Sequence, residues 1–272
     1  MNEVSLGCSD LAWGPTGFVE AISAISEIGY DGIECSSDLV QEYEDRLHVF
    51  EEIMDTSHLK LCAMSQAADF LDRENADAVV ERVANTARFL SANRTPCLVV
   101  SPRNPANEAM ANDDWVTVAA VLDEMGVRCR EFGVKLAFRP RAGFLAGGSR
   151  DLARLLEMSN KTLVFLCCDT AELELAKIRV PTFLKKWKER VAYVRYRDIS
   201  GAKRRKKTTS NESGRAPLFG RGAVSFARVG KALLQAGYNG WVTVEIAGES
   251  HPPREAAMNA FRYVVRKGGL FA

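Results

Sequence analysis

Histidine is scarce in this chain: three among 272 residues, at His48, His58 and His251. Three scattered histidines cannot build a polynuclear zinc site of the many-histidine kind. Charge of one sign is also missing. Lys plus Arg number 36 and Asp plus Glu 35, a formal net charge of +1, so no global field draws the molecule to nucleic acid or to a membrane surface. The N-terminal "MNEVSLGCSDLAW" has no basic stretch leading into a long apolar one, which argues against a signal peptide, and no apolar run is long enough for a transmembrane helix. None of the seven cysteines forms a CxxC pair. Most lie inside apolar runs, the pattern of reduced, buried thiols in a cytoplasmic protein. A reactive Cys168 is disfavoured by the neighbouring Asp169, whose charge opposes a thiolate. No GxGxxG follows the first apolar run, which weighs against a dinucleotide-binding open sheet.

What is present is an alternation. Eight short apolar runs appear in order: VSLGCS, GIECS, LKLCAM, CLVVSP, VKLAFRP, LVFLCCD, VAYVRYRD and WVTVEIA. Near-continuous apolar character is what strands buried on both faces require. Between them lie helical stretches. Phe18, Ile22, Ile25 and Ile28 share one helical face, and so do Val79, Val83, Ala87 and Leu90. Gly29, Gly133 and Gly237 fall where helix C-caps are needed. Eight strand–helix units predict an α/β fold, a single (β/α)8 TIM barrel over 1–272, with an open doubly wound sheet as the alternative. The segment 200–222 breaks the rhythm: it is polar, glycine-rich and basic at KRRKK, 203–207. It reads as a mobile loop over the barrel mouth, either simply solvated or acting as a lid or basic collar.

A parallel barrel gathers its chemistry at the C-terminal ends of the strands. Collecting the polar residues there gives Glu34, Asp169 and Glu245 on one side, and Arg139, Arg141, Arg195 and Arg197 on the other, with Trp13 and Arg103 nearby and Glu172 one turn beyond Asp169. Two readings of this set stand: an ion-pair network that plugs the mouth, or a site for a polyhydroxylated or anionic small molecule.

These strand ends resemble those of the sugar phosphate isomerase/epimerase superfamily, the xylose isomerase-like barrels, and within it the inosose dehydratases and their relatives. GYDGIE resembles the second-strand motif, FGVKLAFRPRAG the histidine-bearing fifth-strand segment, CCDTAEL the DTGH motif, and VAYVRYRDI the VxHxHxKD motif. LFGRGAVSFARVGKALLQAGYNGWVTVE resembles the GxGxxDF segment, its helix and the closing GWxxxE strand. The resemblance spans nearly the whole chain. It implies proton abstraction beside a carbonyl, with a divalent metal (Mn, Mg, Zn or Co) on a fifth-strand carboxylate, Asp169, a seventh-strand histidine and Glu245. The histidine position reads Arg195, the fifth-strand ligand position falls near Gly147, the histidines of the fifth-strand segment read Arg139 and Arg141, and the DTGH histidine reads Glu172.

Arginine offers a metal no lone pair. The expectation is therefore an isomerase, epimerase or dehydratase without a metal cofactor. It would act on a sugar, polyol or related carbonyl compound, plausibly one with a carboxylate or phosphate. Glu245 is the expected base, with a pKa raised by burial, and Glu34 a second acid or base. Asp169 is expected to orient Arg195. Arg139, Arg141, Arg195, Arg103 and Trp13 would bind substrate. The alternatives are a weak metal site on Asp169, Glu245 and Glu172, or an inactive barrel kept for binding or assembly. The expected partner is a small molecule, with neither nucleic acid nor membrane, and a homodimer is possible. The resemblance also reaches a DNA-repair endonuclease branch, but its histidine-built zinc cluster has no counterpart here.

Overall fold

A computed structural model describes residues 4–72, 74–103, 110–145, 148–200, 217–246 and 251–271. Eight parallel strands close into a barrel in sequence order. They are β1 (Ser5–Ser9), β2 (Gly32–Ser36), β3 (Lys60–Ala68), β4 (Cys97–Pro102), β5 (Lys135–Phe138), β6 (Val164–Asp169), β7 (Val191–Tyr196) and β8 (Trp241–Val244). The helices around them are α1 (Phe18–Ile28), α2 (Leu39–Tyr43), α3 (Leu47–Ser57), α4 (Ala76–Ala92), α5 (Asn112–Glu131), α6 (Ser149–Met158), α7 (Thr170–Leu175), α8 (Val180–Trp187), α9 (Phe226–Gln235) and α10 (Pro253–Lys267). This is the expected closed barrel, and the open sheet is excluded by the pairing of β8 with β1.

The helical stripes behave as their periodicity requires. Val79, Val83, Ala87 and Leu90 are all buried against the sheet, and of the α1 stripe only Ile28 is partly exposed. Burial of each large apolar side chain contributes about 1.5–3 kcal/mol. Gly29 and Gly237 end α1 and α9 at positive φ, 99° and 75°, where a side chain would be strained.

The barrel interior is layered. Its lower part is filled by Cys62, Ala63, Cys97, Val99, Ala137, Cys167 and Tyr193. Cys62 fits because β1 and β2 present glycine opposite it: a Cβ on Gly7 would lie 2.6 Å from its Sγ, and one on Gly32 2.7 Å. All seven cysteines are free and buried. Burial pushes Cys129 up to about 12, and burial, reinforced by Asp169, raises Cys168 further, so no reactive thiolate forms there. No helix among the described residues is long and apolar enough to cross a membrane.

Candidate functional site

Above the cysteine layer, the interior turns ionic. Tyr193 and Arg195 lie two residues apart on β7, so both point inward; Arg197 follows just past the strand. The Tyr193 hydroxyl donates to Glu34 Oε2 at 2.9 Å and also touches Thr243. Arg195 forks between two acids: one amino group pairs with Glu34 Oε1 and the other donates to Glu245 Oε2 at 2.8 Å. Arg197 places Nε 3.2 Å from Glu245 Oε1 and Nη1 3.1 Å from Glu172 Oε1. Glu172 Oε2 accepts from the Ala142 amide at 2.9 Å. The Thr170 hydroxyl ties the two loops together, donating to the Arg197 carbonyl and accepting from its amide.

Asp169 ends β6 and caps α7. Its Oδ1 accepts from the Ala171 and Glu172 amides at 3.0 Å each. Its Oδ2 is buried without a hydrogen-bond partner among the described residues, and its nearest cation is Arg139 Nη1 at 3.5 Å. Arg139 Nη1 also stands 3.6 Å from Glu245, and Arg139 Nε has no partner among the described residues. Arg139 is thus held by charge but not clamped.

The electrostatics separate the two acids. Burial pushes Asp169 up to about 6, although Arg139 and Arg197 pull it down. Burial acts on Glu245 too, but Arg195, Arg197 and Arg139 together outweigh it and hold the carboxyl below the ordinary range. Burial alone would lower Arg139, yet Asp169 and Glu245 leave it above its usual value. Asp10, at the end of β1, is pushed up to about 6 by burial against hydrogen bonds from Ser36 and Cys35.

A cavity of about 450 Å³ opens beside this network. Arg139, Arg195 and Glu245 form its inner end, and Ser36, Ser65, Gln66 and Ser101, from β2 to β4, line the wall. The Thr86 hydroxyl of α4 lies 2.9 Å from the Gln66 side-chain amide and fixes it.

Several expectations need correction. Asp169 does not orient Arg195: it faces Arg139, and Arg195 is held by Glu34 and Glu245. Asp169 and Arg195 are register partners on adjacent strands, but Asp169 spends one oxygen on the helix cap. Glu245 is not a base of raised pKa, because three guanidiniums surround it. Glu34 is buried and fully engaged, lying away from the cavity lining. Among the described residues Arg141 does not join the network; its Nη1 donates to the Arg103 carbonyl at 3.5 Å. Trp13 is half-buried and off the cavity wall, its Nε1 without a partner among the described residues. Gly147 and the basic run 203–207 lie outside the described residues. The end of the 200–222 segment that is described is pinned. Asp198 accepts from the amides of Ile199, Gly220, Gly222 and Val224, and a Cβ on Gly222 would sit 2.1 Å from its Oδ1.

The donor set does not fit a divalent cation. Both Glu245 oxygens face guanidiniums, Glu172 is divided between Arg197 and a backbone amide, and one Asp169 oxygen caps a helix. Among the described residues no group of three or more His, Cys, Asp or Glu side chains is arranged to hold a metal. The alternative set of Asp169, Glu245 and Glu172 fails on this chemistry, since guanidiniums and backbone amides already occupy most of its carboxylate oxygens and leave too few free lone pairs for a cation's shell.

Residues 22–266 match the family model described as "Xylose isomerase-like TIM barrel". The chain is 22% identical to an inosose dehydratase of Lacticaseibacillus casei over 268 residues, covering 92% of this chain and 87% of that protein. Among solved structures it superimposes on a xylose isomerase domain protein of Alicyclobacillus acidocaldarius (TM-score 0.81, 16% identity, 98% and 99% of the two chains). It also superimposes on the D-psicose 3-epimerase of Clostridium cellulolyticum H10, solved with D-tagatose (TM-score 0.77, 12% identity, 98% and 100%). A barrel of this topology, with a match over nearly its full length, belongs to the xylose isomerase-like TIM barrel family.

Proposed function

We propose that the protein is an enzyme of isomerase, epimerase or dehydratase type. It acts on a keto-sugar or keto-polyol by removing a proton beside the carbonyl, without a divalent metal. Relatives named inosose dehydratase and neighbours named epimerase support the reaction class. The observation that carries the reading is Arg139. Its contacts to Asp169 and Glu245 are long, its Nε is unpartnered among the described residues, and it fronts an open cavity. A mouth built only as a plug would leave no such cation facing open space, which weighs against an inactive barrel.

In this mechanism the substrate carbonyl draws the Arg139 guanidinium outward and uncovers Asp169 Oδ2. Asp169 takes the proton from the adjacent carbon, and the C–H electron pair moves into an enediolate whose oxygen Arg139 neutralises. Returning the proton to the neighbouring carbon, with the hydroxyl proton passing between the two oxygens, gives the isomer; protonation of the original carbon on its opposite face, by a second donor, gives the epimer. Protonation and loss of a neighbouring hydroxyl as water gives the dehydrated ketone. Arg195 and Arg197 keep Glu245 in place and its charge compensated.

Asp169 works as base only when ionised. Its pKa near 6 therefore predicts a rate that rises with pH through about 6 and levels above it. The test is solvent-deuterium exchange into inososes, D-psicose, D-fructose and D-tagatose, with EDTA and with added Mn²⁺. Exchange that survives EDTA and falls at least about a thousandfold in Asp169→Asn supports the reading. Exchange that requires Mn²⁺, or that persists in Asp169→Asn, overturns it.

A further inference from the structure

The arginines of the mouth fall into two groups. The inner three, Arg139, Arg195 and Arg197, each pair with carboxylates. The outer three, Arg82 on α4, Arg103 after β4 and Arg141 after β5, pair with none among the described residues. Arg82 and Arg103 line the cavity described above, and Arg141 reaches the Arg103 carbonyl with Nη1. Among the described residues the Arg103 guanidinium donates to a backbone carbonyl, that of Ala67 at 3.4 Å. Three acids share the cavity lining: Glu245 at the inner end, and Asp38 and Glu44 from the α2 side, which form no ion pair with these arginines among the described residues.

We propose that Arg82, Arg103 and Arg141 form an anion subsite. The substrate then carries a carboxylate or phosphate ester at the end remote from its reacting carbonyl. This deepens the carbonyl-chemistry reading and rests on it for which end reacts. The charge distribution fixes the direction. At the inner end, Glu34, Asp169, Glu172 and Glu245 meet three guanidiniums, leaving one negative charge in excess. An anionic group is repelled there and attracted to the outer edge, where Arg82, Arg103 and Arg141 have no ion-pair partner among the described residues and outnumber the two acids of that side, Asp38 and Glu44. The neutral middle of the substrate then lies along the Ser36, Ser65, Gln66 and Ser101 wall, whose hydroxyls and amide suit a polyol. A cavity of about 450 Å³ holds a sugar acid of ordinary size.

The test is calorimetric titration of the full chain with inorganic phosphate, D-gluconate and D-glucitol, on wild type, Arg82→Ala and the Arg103→Ala/Arg141→Ala double variant. Side chains on the surface edge can be removed without unfolding the barrel, and a thermal melt of each variant checks this. The expected result is binding of both anions by the wild type, weakened by salt and weakened roughly tenfold to a hundredfold in the double variant, with D-glucitol unaffected. Equal anion binding by wild type and double variant overturns the subsite, as does a wild type that binds D-glucitol but neither anion. Arginine-dependent anion binding alongside failure of every exchange assay keeps the subsite and removes the reaction. Turnover of uncharged ketones with no dependence on these arginines does the reverse.

Discussion

From β5 round to β8 the barrel mouth is a lattice of full charges, joined by Glu34 from β2. From β2 to β4 the strands themselves offer hydroxyls and an amide, and the charges of that side, Asp38, Glu44, Arg82 and Arg103, come from the segments after them. Arg195, Glu34 and Glu245 are nearly inaccessible and pair with one another, with Arg195 Nε the one guanidinium nitrogen left without a partner among the described residues. Ser36, Ser65, Gln66 and Ser101 face a cavity with hydrogen-bonding capacity to spare. Charges removed from water must be paired where they stand, so the ionic side is rigid and its members are committed. Uncharged polar groups pay less for burial and can exchange water for a ligand's hydroxyls. One side sets the field, and the other reads the shape of what binds. Arg139 belongs to both: it is drawn to the acids yet open to the cavity.

The contrast can be broken most severely at Arg195. Arg195→Met leaves Glu34 and Glu245 buried without their shared cation, and a loss of about 3–5 kcal/mol is expected in urea unfolding. Adding Glu34→Gln should recover part of it. A cost below about 1 kcal/mol would mean the ionic side is not held by mutual pairing. Asp198→Ala strands four backbone amides and should cost roughly 2–4 kcal/mol while leaving the central ion pairs in place. An unchanged melt would show that the segment around Gly220 is held by something else. The smallest stability effect belongs to the uncharged wall. Gln66→Leu should change unfolding by less than about 1.5 kcal/mol, yet raise KM for a keto-polyol about tenfold with kcat nearly unchanged. A fall in kcat with unchanged KM would place Gln66 in the chemistry instead.

Much of this was legible before any coordinates. The near-continuous apolar runs, the helical stripes and the glycine caps specify the barrel because each is a local pattern with a local cause. The strand-end rule brought Glu34, Asp169, Glu245, Arg139 and Arg195 to one mouth. Tyr193 was missed, although it shares a strand face with Arg195 two residues on, and that spacing is the signal that finds it. Asp10, directly after β1, carries the same strand-end signal and stands outside the set collected from the sequence. Partner choice was not legible. Asp169 and Arg195 are adjacent in register, and nothing in their identities says that Asp169 turns to a helix cap and Arg139 instead. Nor did Arg141 announce that it lies outside the network while Arg139, two residues earlier, lies within it.

The sequence by itself determined the barrel, the free thiols and the replacement of neutral ligands by guanidiniums, since these follow from residue type and spacing along the chain. Only the tertiary structure decided which acid is poised near pH 6 and which is held low. That depends on the number of cations within a few ångströms of each carboxylate: three crowd Glu245, while Asp169 keeps one oxygen free behind Arg139. Distances of that kind arise from strands far apart in the chain, and no local pattern encodes them.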